Sequence, residues 1–331
     1  MVLEQGNASF FHTMEWARVL VETYNYSPQY VVVKNSGRIV GMLPLMEVRS
    51  MWTGKRGVCL PFSDNCGPLL SRGATPSELM ECVREHGLKS GWRYFEVREG
   101  CDTLPAAIPS DDFVVHTLPL EDREELQFAK LRGSHRRNIQ RSLREGVEVQ
   151  HLQSRDAIDL FYALHCRTRR HHGVPPQPAR FFHLIHKIII EPGHGFVSLA
   201  RFEGRTIAGA VYFHFGSHAI YKFGASDRRF QHLRPNNLVM WKAICHLQRQ
   251  HLTELSLGRT DLHDEGLLQF KRGWGGIESR LEYHRIGLKR EVRPMEPAAA
   301  GRGAGLGRRI ARWMPLPVLR LVGSLAYRHM G

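Results

Sequence analysis

Two short segments, half a chain apart, read almost alike, and this repeat constrains the fold more than any other feature. Tyr30-Val-Val-Val33, a turn at Asn35-Ser36-Gly37 and Arg38-Ile-Val-Gly-Met-Leu-Pro-Leu45 spell a β-hairpin. Residues 195–202, a turn at Glu203-Gly204 and residues 205–213 spell a second one. Both second arms open on Gly-Arg, pass through a β-branched residue and reach a glycine: Gly37-Arg38-Ile39-Val40-Gly41 and Gly204-Arg205-Thr206-Ile207-Ala208-Gly209. A repeat at this separation argues for two copies of one fold. With 331 residues, each copy has enough chain to bury its own core.

Helical patterns precede both hairpins. Trp16, Val19, Leu20 and Tyr24 share one face of residues 13–24, and Ile158, Phe161, Tyr162 and Cys166 share one face of 155–172. Ser154 is placed to cap the second of these, and Gly173 with a Val-Pro-Pro break ends it. Thr75-Pro76-Ser77-Glu78 is a capping box with proline at the first helical position, opening a helix to about Lys89. Residues 94–97 and 113–118 follow as strands. In the second half, 219–223 reads as a strand, 235–250 as a helix with Pro235 in its first turn, 254–257 as a strand, 265–272 as a short helix and 280–284 as a closing strand. The order of helix, hairpin, strand, helix and strands suits an α+β fold with a mixed sheet better than a doubly wound nucleotide fold. An acidic stretch near residues 119–125 sets the expected boundary, giving domains at 1–120 and 121–290 and a tail at 291–331.

Several function classes are set aside by composition. No apolar run reaches the roughly 18 to 20 residues of a spanning helix, and the start, Met-Val-Leu-Glu-Gln-Gly-Asn, has no secretory pattern, so a cytoplasmic protein is expected. The cysteines (Cys59, Cys66, Cys82, Cys101, Cys166, Cys245) form no Cys-x-x-Cys pair, and the histidines show no His-Glu-x-x-His spacing. No bound metal is therefore expected.

The net charge of +14 is concentrated in two places. Residues 130–144 hold Lys130, Arg132, Arg136, Arg137, Arg141 and Arg144 and no acid; from Arg285 onward ten basic residues face only Glu291 and Glu296. A polyanion such as tRNA could meet the first patch, and an anionic membrane surface the second. The tail from 306 to 331 mixes Arg308, Arg309, Arg312, Arg320 and Arg328 with Trp313, Met314, Leu316, Leu319, Leu321, Val322 and Leu325, the composition of basic amphipathic helices lying on a membrane. Helices packed back onto the domains would read the same way.

Residues 257–276 carry the densest chemistry. Just past an apolar strand they place Arg259, Asp261, Asp264, Glu265, Lys271 and Trp274. The order Gly-Arg, a polar loop, then Gly-Leu-x-x-Phe-Lys-x-x-Trp-Gly resembles a signature of the FemAB-like acyltransferases, relatives of the GNAT N-acetyltransferases. Leu60-Pro-Phe-Ser-Asp-Asn-Cys-Gly-Pro-Leu69 and Tyr221-Lys-Phe-Gly-Ala-Ser226 with Arg234-Pro-Asn-Asn-Leu238 also resemble that group.

The resemblance implies two tandem GNAT-like domains and amide formation from an activated acyl donor. It assigns Lys271 to acyl transfer. Chemically, Lys271 can stabilise an oxyanion or a donor phosphate, Arg259 can clamp a phosphate or carboxylate, and Asp261, Asp264 and Glu265 are candidates to take the amine proton. Arg234, Asn236, Asn237 and Tyr221 are the expected donor-binding residues, with free N–H groups at a helix start to receive phosphates. Asp64, Asn65 and Trp274 are the expected acceptor-binding residues. No tightly bound cofactor is expected; the donor is acetyl-CoA or aminoacyl-tRNA. The segment Arg229-Phe-Gln-His-Leu-Arg-Pro departs from the usual coenzyme A loop. The expected acceptor is an amine of a cell-envelope or exopolysaccharide precursor, met at the inner face of the membrane. A coenzyme A-dependent acetyltransferase of a soluble small molecule and a non-catalytic scaffold for anionic lipid or nucleic acid are the alternatives.

Overall fold

The computed structural model describes residues 8–51, 53–71, 73–100, 108–288 and 302–330. The N-terminal heptad, Cys101 and the linker at 291–301 lie outside the described residues. The chain divides into two compact units. One comprises Met1–Phe113, Arg280–Ala304 and Leu325–Gly331; the other comprises Val114–Ser279 and Gly305–Ser324.

The first unit begins with α1 (Met14–Tyr24), whose inward stripe is Trp16, Val19, Leu20 and Tyr24 and whose start is capped by the Thr13 hydroxyl accepting from the Trp16 N–H at 3.4 Å. The hairpin of β1 (Ser27–Asn35) and β2 (Arg38–Ser50) follows, then β3 (Gly54–Cys59), the short β4 (Leu69–Leu70), α2 (Pro76–Lys89) and β5 (Tyr94–Arg98). β2 and β3 are antiparallel, whereas β3 and β5 run parallel, joined through α2. The strand β6 (Ile108–Pro119) starts five residues earlier than its β-branched core predicts and passes from the first unit into the second.

The second unit contains α3 (Glu124–Lys130), α4 (Gly133–Arg144), β7 (Glu148–Leu152), α5 (Arg155–His171) and α6 (Ala179–Ile185), which winds on into a π-helical turn at His186–Ile190. The hairpin β8 (Gly195–Phe202) and β9 (Arg205–Phe215) leads to β10 (His218–Ser226), α7 (Pro235–Arg249), β11 (Glu254–Asp261) and α8 (Glu265–Arg272). Its strands lie in the order β7-β8-β9-β10-β11-β6. The core joins Phe196, Tyr212, Leu238, Ile244, Leu255, Leu257 and Trp274. The final strand, β12 (Ile277–Gly287), returns to the first unit, where Tyr283–Gly287 pair antiparallel with β5.

The two hairpins match in detail. Both turns have positive φ at two successive residues, Ser36 (48°) and Gly37 (78°) in one, Glu203 (47°) and Gly204 (73°) in the other. That is the type I′ turn, whose twist suits a two-residue hairpin. The pairing also slips at the corresponding place, between Val33 and Lys34 and between Ala200 and Arg201. The register aligns Gly41 with Ala208, one residue short of Gly209. Beyond the hairpins, β9 and β10 are antiparallel and β10 and β11 parallel, joined through α7. Both units therefore repeat one topology, a hairpin, a third antiparallel strand, a helix and a fourth strand parallel to the third.

The tail forms α9 (Arg302–Trp313) and α10 (Leu316–Ala326). It packs back by one stripe: Ala311, Leu319 and Gly323 are buried. No helix among the described residues is long and apolar enough to cross a membrane.

Candidate active site

The second unit holds most of the residues singled out from the sequence. β10 and β11 pair only at His218–Ile220 with Glu254–Ser256; past Ile220 and Ser256 the paired register ends while β10 runs on to Ser226 and β11 to Asp261. β11 changes direction at Gly258, whose φ is 71°, a value that glycine adopts without Cβ strain. This break leaves main-chain carbonyls needing donors. Lys271 meets that need: its ammonium donates to the carbonyls of Gly258 at 2.6 Å and Arg259 at 3.1 Å, and its side chain is only 3% exposed. By spacing alone Lys271 is a surface cation. In the fold it joins Leu268 on the buried stripe of α8.

The acids nearby have local duties. Asp264 caps α8, its Oδ1 accepting from the Leu267 N–H at 3.0 Å, and Asp261 accepts from the His263 N–H at 3.0 Å in a side-chain turn. Glu265 is an exposed acid in the first turn of α8. Trp274 is 0% exposed; its ring meets His135 edge-on at 4.8 Å, and its indole Nε1 has no hydrogen-bond partner. A Cβ at Gly273 would come within 2.1 Å of that same histidine ring, so the Gly273-Trp274 step needs a glycine for close approach. Trp274 thus presents core packing rather than an open face.

At the far end of β10 stands the start of α7. Arg234 occupies its N-cap position in the left-handed region at φ 58°, with no side-chain cap hydrogen bond and no acid in the first turn. The first N–H groups of a helix lack intrahelical acceptors and carry the positive end of its dipole, so a start of this kind favours an anion. Asn236 is exposed and donates through Nδ2 to Ser226 Oγ at 3.3 Å, tying the helix start to the end of β10. Asn237 is buried, with Nδ2 lacking a partner. The Tyr221 hydroxyl lies over Gly224, where an added Cβ would come within 1.7 Å of it. Burial pushes the Tyr221 phenol up to about 12, so it is a neutral donor at neutral pH.

One group near Lys271 is invisible to sequence reasoning. His116 on β6 is 0% exposed and its Nε2 lies 3.1 Å from Glu278 Oε1, 162 residues away in sequence. Burial lowers the His116 pKa and the Lys271 charge adds to this, against the pull of Glu278. The ring is therefore neutral, with Nε2–H donating to Glu278. Arg272, next to Lys271 on α8, pairs with the same carboxylate through Nε and Nη2. His116, Glu278 and Arg272 together tie the end of α8 to β6. No sequence signal short of knowing the strand pairing could have linked them.

Asp64 and Asn65 lie in the first unit. The Asp64 carbonyl accepts from the Tyr283 hydroxyl at 2.5 Å and the Asn65 carbonyl from Ser9 Oγ at 3.2 Å. The same loop continues through Gly67 and Pro68 into the lining of a cleft of about 570 Å³, completed by Glu99, Gly100, Arg280, Leu281 and Glu282. Among the described residues no group of three or more His, Cys, Asp or Glu side chains is placed to hold a metal ion.

Residues 129–272 match the family model described as an acetyltransferase (GNAT) domain. Among solved structures, FemX is similar at 13% identity and a TM-score of 0.68, with 85% of this chain and 93% of FemX covered. The C-terminal domain of an Agrobacterium fabrum protein named as a lysylphosphatidylglycerol synthetase is similar at 15% identity and a TM-score of 0.58, covering 86% and 91%. A tandem GNAT protein from the clavulanic acid biosynthesis pathway follows at 11% identity and 0.53, covering 83% and 94%. At these identities the likeness is one of fold. No curated protein matches the chain significantly.

Proposed function

On a chain that carries a GNAT acetyltransferase domain at residues 129–272 within a FemAB-like tandem fold, and is an acyltransferase on that ground, we propose that the reaction is N-acylation of a cell-envelope or exopolysaccharide precursor by a phosphate-bearing donor, acetyl-CoA or aminoacyl-tRNA. The carrying observation is the uncapped start of α7, tethered to the end of β10 where β10 and β11 have ceased to pair. Phosphates of the donor bind the α7 N–H groups, beside Arg234 and Asn236. The acyl arm follows the edge of β10 that no longer pairs with β11, past Tyr221.

The free amine attacks the acyl carbonyl carbon. A C–N bond forms, the C–S bond of a thioester or the C–O bond of an aminoacyl ester breaks, and the leaving sulfur or oxygen takes up a proton equivalent to the one the amine loses. Lys271 concentrates positive charge at the Gly258-Arg259 break, Arg259 orients an anionic group, and Asp261, exposed at the end of β11, accepts the amine proton. Asp64 and Asn65 are the proposed acceptor-binding residues. A working position in the cytoplasm at the inner face of the membrane fits an envelope precursor. Arg136, Arg137 and Arg144 of α4 are exposed, which favours a tRNA donor as the second reading.

The test is mass spectrometry of amine-bearing envelope precursors incubated with acetyl-CoA or with charged tRNA. A precursor should gain one acyl mass with one of the two donors and none with Lys271→Ala. No increment with either donor overturns the proposal.

A further inference from the structure

The docked tail leaves a second face uncovered. On α10, Leu319 and Gly323 form the inward stripe: Leu319 is 0% exposed, and a Cβ at Gly323 would come within 2.0 Å of the Pro176 carbonyl. α9 makes an equally close approach, with the Arg308 carbonyl 2.3 Å from where a Cβ at Gly173 would stand. Arg320 adds a cation over the Tyr162 ring at 5.2 Å. These contacts all lie within the second unit and fix the two helices to it.

The opposite side is apolar and wet. Trp313 is 89% exposed, Leu321 61%, Ile310 54% and Val318 46%. Trp313 and Ile310, with Arg309 and Met314, line a shallow groove of about 560 Å³. The sequence from 297 to 331 contains no Asp or Glu, and Arg308, Arg309 and Arg312 are exposed beside the apolar residues. An exposed tryptophan within an aliphatic row calls for an apolar medium, and an unopposed set of arginines calls for anions at its edge. One partner supplies both in the same plane, a bilayer with anionic headgroups. Nucleic acid would satisfy the arginines and leave Ile310, Val318 and Leu321 in water.

We propose that the outer face of α9 and α10, centred on Trp313 and Leu321, seats this protein on an anionic lipid bilayer. The tail is then a fixed docking plate, already folded on the second unit, rather than a segment that orders only at the membrane. This gives the membrane position suggested above a specific surface, but rests on the tail alone and not on the acyl-transfer chemistry.

The test is co-sedimentation of the full chain with large vesicles, one set of pure phosphatidylcholine and one containing phosphatidylglycerol. The wild type should pellet with the anionic set only. Trp313→Ser with Leu321→Ser, and separately Arg309→Gln with Arg312→Gln, should each weaken partitioning by about tenfold or more. Both variants should keep their melting temperature and their acyl transfer to a soluble amine. A wild type that stays in the supernatant, or variants that pellet undiminished, overturns the proposal. So does a wild type whose exposed face proves to be covered by a second copy, seen as a concentration-dependent mass that Trp313→Ser abolishes, or by RNA that competes with vesicles. Acyl transfer that persists while vesicle binding fails would remove the membrane surface and leave the enzymatic reading standing.

Discussion

The two units share a topology and put the equivalent place to different uses. In each, a third strand and a fourth run parallel over a short stretch and are joined by a helix. In the first unit the strand ends are closed off. Thr75 caps α2 by accepting from the Glu78 N–H at 3.2 Å, Cys66 bridges back to Arg98 at the end of β5, and Glu96, Arg98 and Arg285 form a buried ionic cluster. In the second unit α7 starts uncapped, and the cation brought to the fourth strand, Lys271, donates to the main-chain carbonyls of Gly258 and Arg259. A cation that donates to main-chain carbonyls beside the strand break is placed to act on a substrate's developing charge, whereas Arg98 is clamped on Glu96. On the proposed function, the same fold would serve as support in one copy and as chemistry in the other.

The sharpest way to break this comparison is to remove each cation in turn. Arg98→Ala leaves the buried Glu96 carboxylate with Arg285 as its remaining cation and should cost about 3 kcal/mol of stability, read as a lowered midpoint in denaturant titration, while kcat per folded molecule holds. Lys271→Ala should do the reverse in kind, lowering kcat by about 100-fold or more with a smaller stability loss from the two carbonyls left without their donor. A mutant pair that swapped these effects would show that the active copy has been misassigned.

Acid offers a second way. Burial, with the Arg169 charge and against the Gln177 hydrogen bond, pushes His165 down to about 3, and burial with His246 pushes His151 down to about 4; both are in the second unit. A histidine whose folded pKa is depressed contributes stability that is fully present above its unfolded pKa of 6.5 and is lost as pH falls towards the folded value. In the first unit, burial pushes the Glu96 carboxyl up but Arg98 and Arg285 outweigh it, so its contribution holds until pH falls below the unfolded value of 4.5. His12 is the one strongly buried histidine of the first unit with a lowered pKa among the described residues. Lowering the pH from 7 to 5 should therefore weaken the second unit first, by about 2 kcal/mol per fully buried histidine, seen as faster amide exchange in α5 and β7 than in β2 and β5.

A milder change should split stability from binding. Asn236→Asp puts a negative charge at the open start of α7, which should stabilise the helix by about 0.3–1 kcal/mol while repelling donor phosphate. The expected readout is a slightly higher melting temperature with a donor KM raised by about tenfold. The smallest effect belongs to Thr75→Ala, about 1 kcal/mol of stability with no change in donor KM, because that helix start is already satisfied.

Much of this frame was legible in the sequence. The hairpins, the Thr75 and Ser154 caps, the proline-led helix at 235 and the short helix at 265–272 all rest on local signals, and local signals survive into the fold. What failed to show was non-local. β3 and β7 are short strands whose only distinguishing feature is their partners, and α6 sits behind a proline-rich break that hides its start. Within the site, Lys271 was marked by a motif but its environment was not, since the carbonyls it meets are freed only by the break at Gly258. His116 and Glu278 are unreadable in sequence because two distant strands bring them together. Asp264 was readable both ways: an acid one position before a helix is as much a cap as a proton acceptor, and the structure uses it as a cap.

Amide hydrogen exchange with and without donor tests the central claim most directly, because it reports on both units at once. Acetyl-CoA or charged tRNA, whichever supports turnover, should slow exchange at Arg234–Leu238 and Leu257–Asp261 and leave Thr75–Leu79 unchanged. Protection at the start of α2, or none at the start of α7, would contradict the assignment of donor binding and chemistry to the second unit.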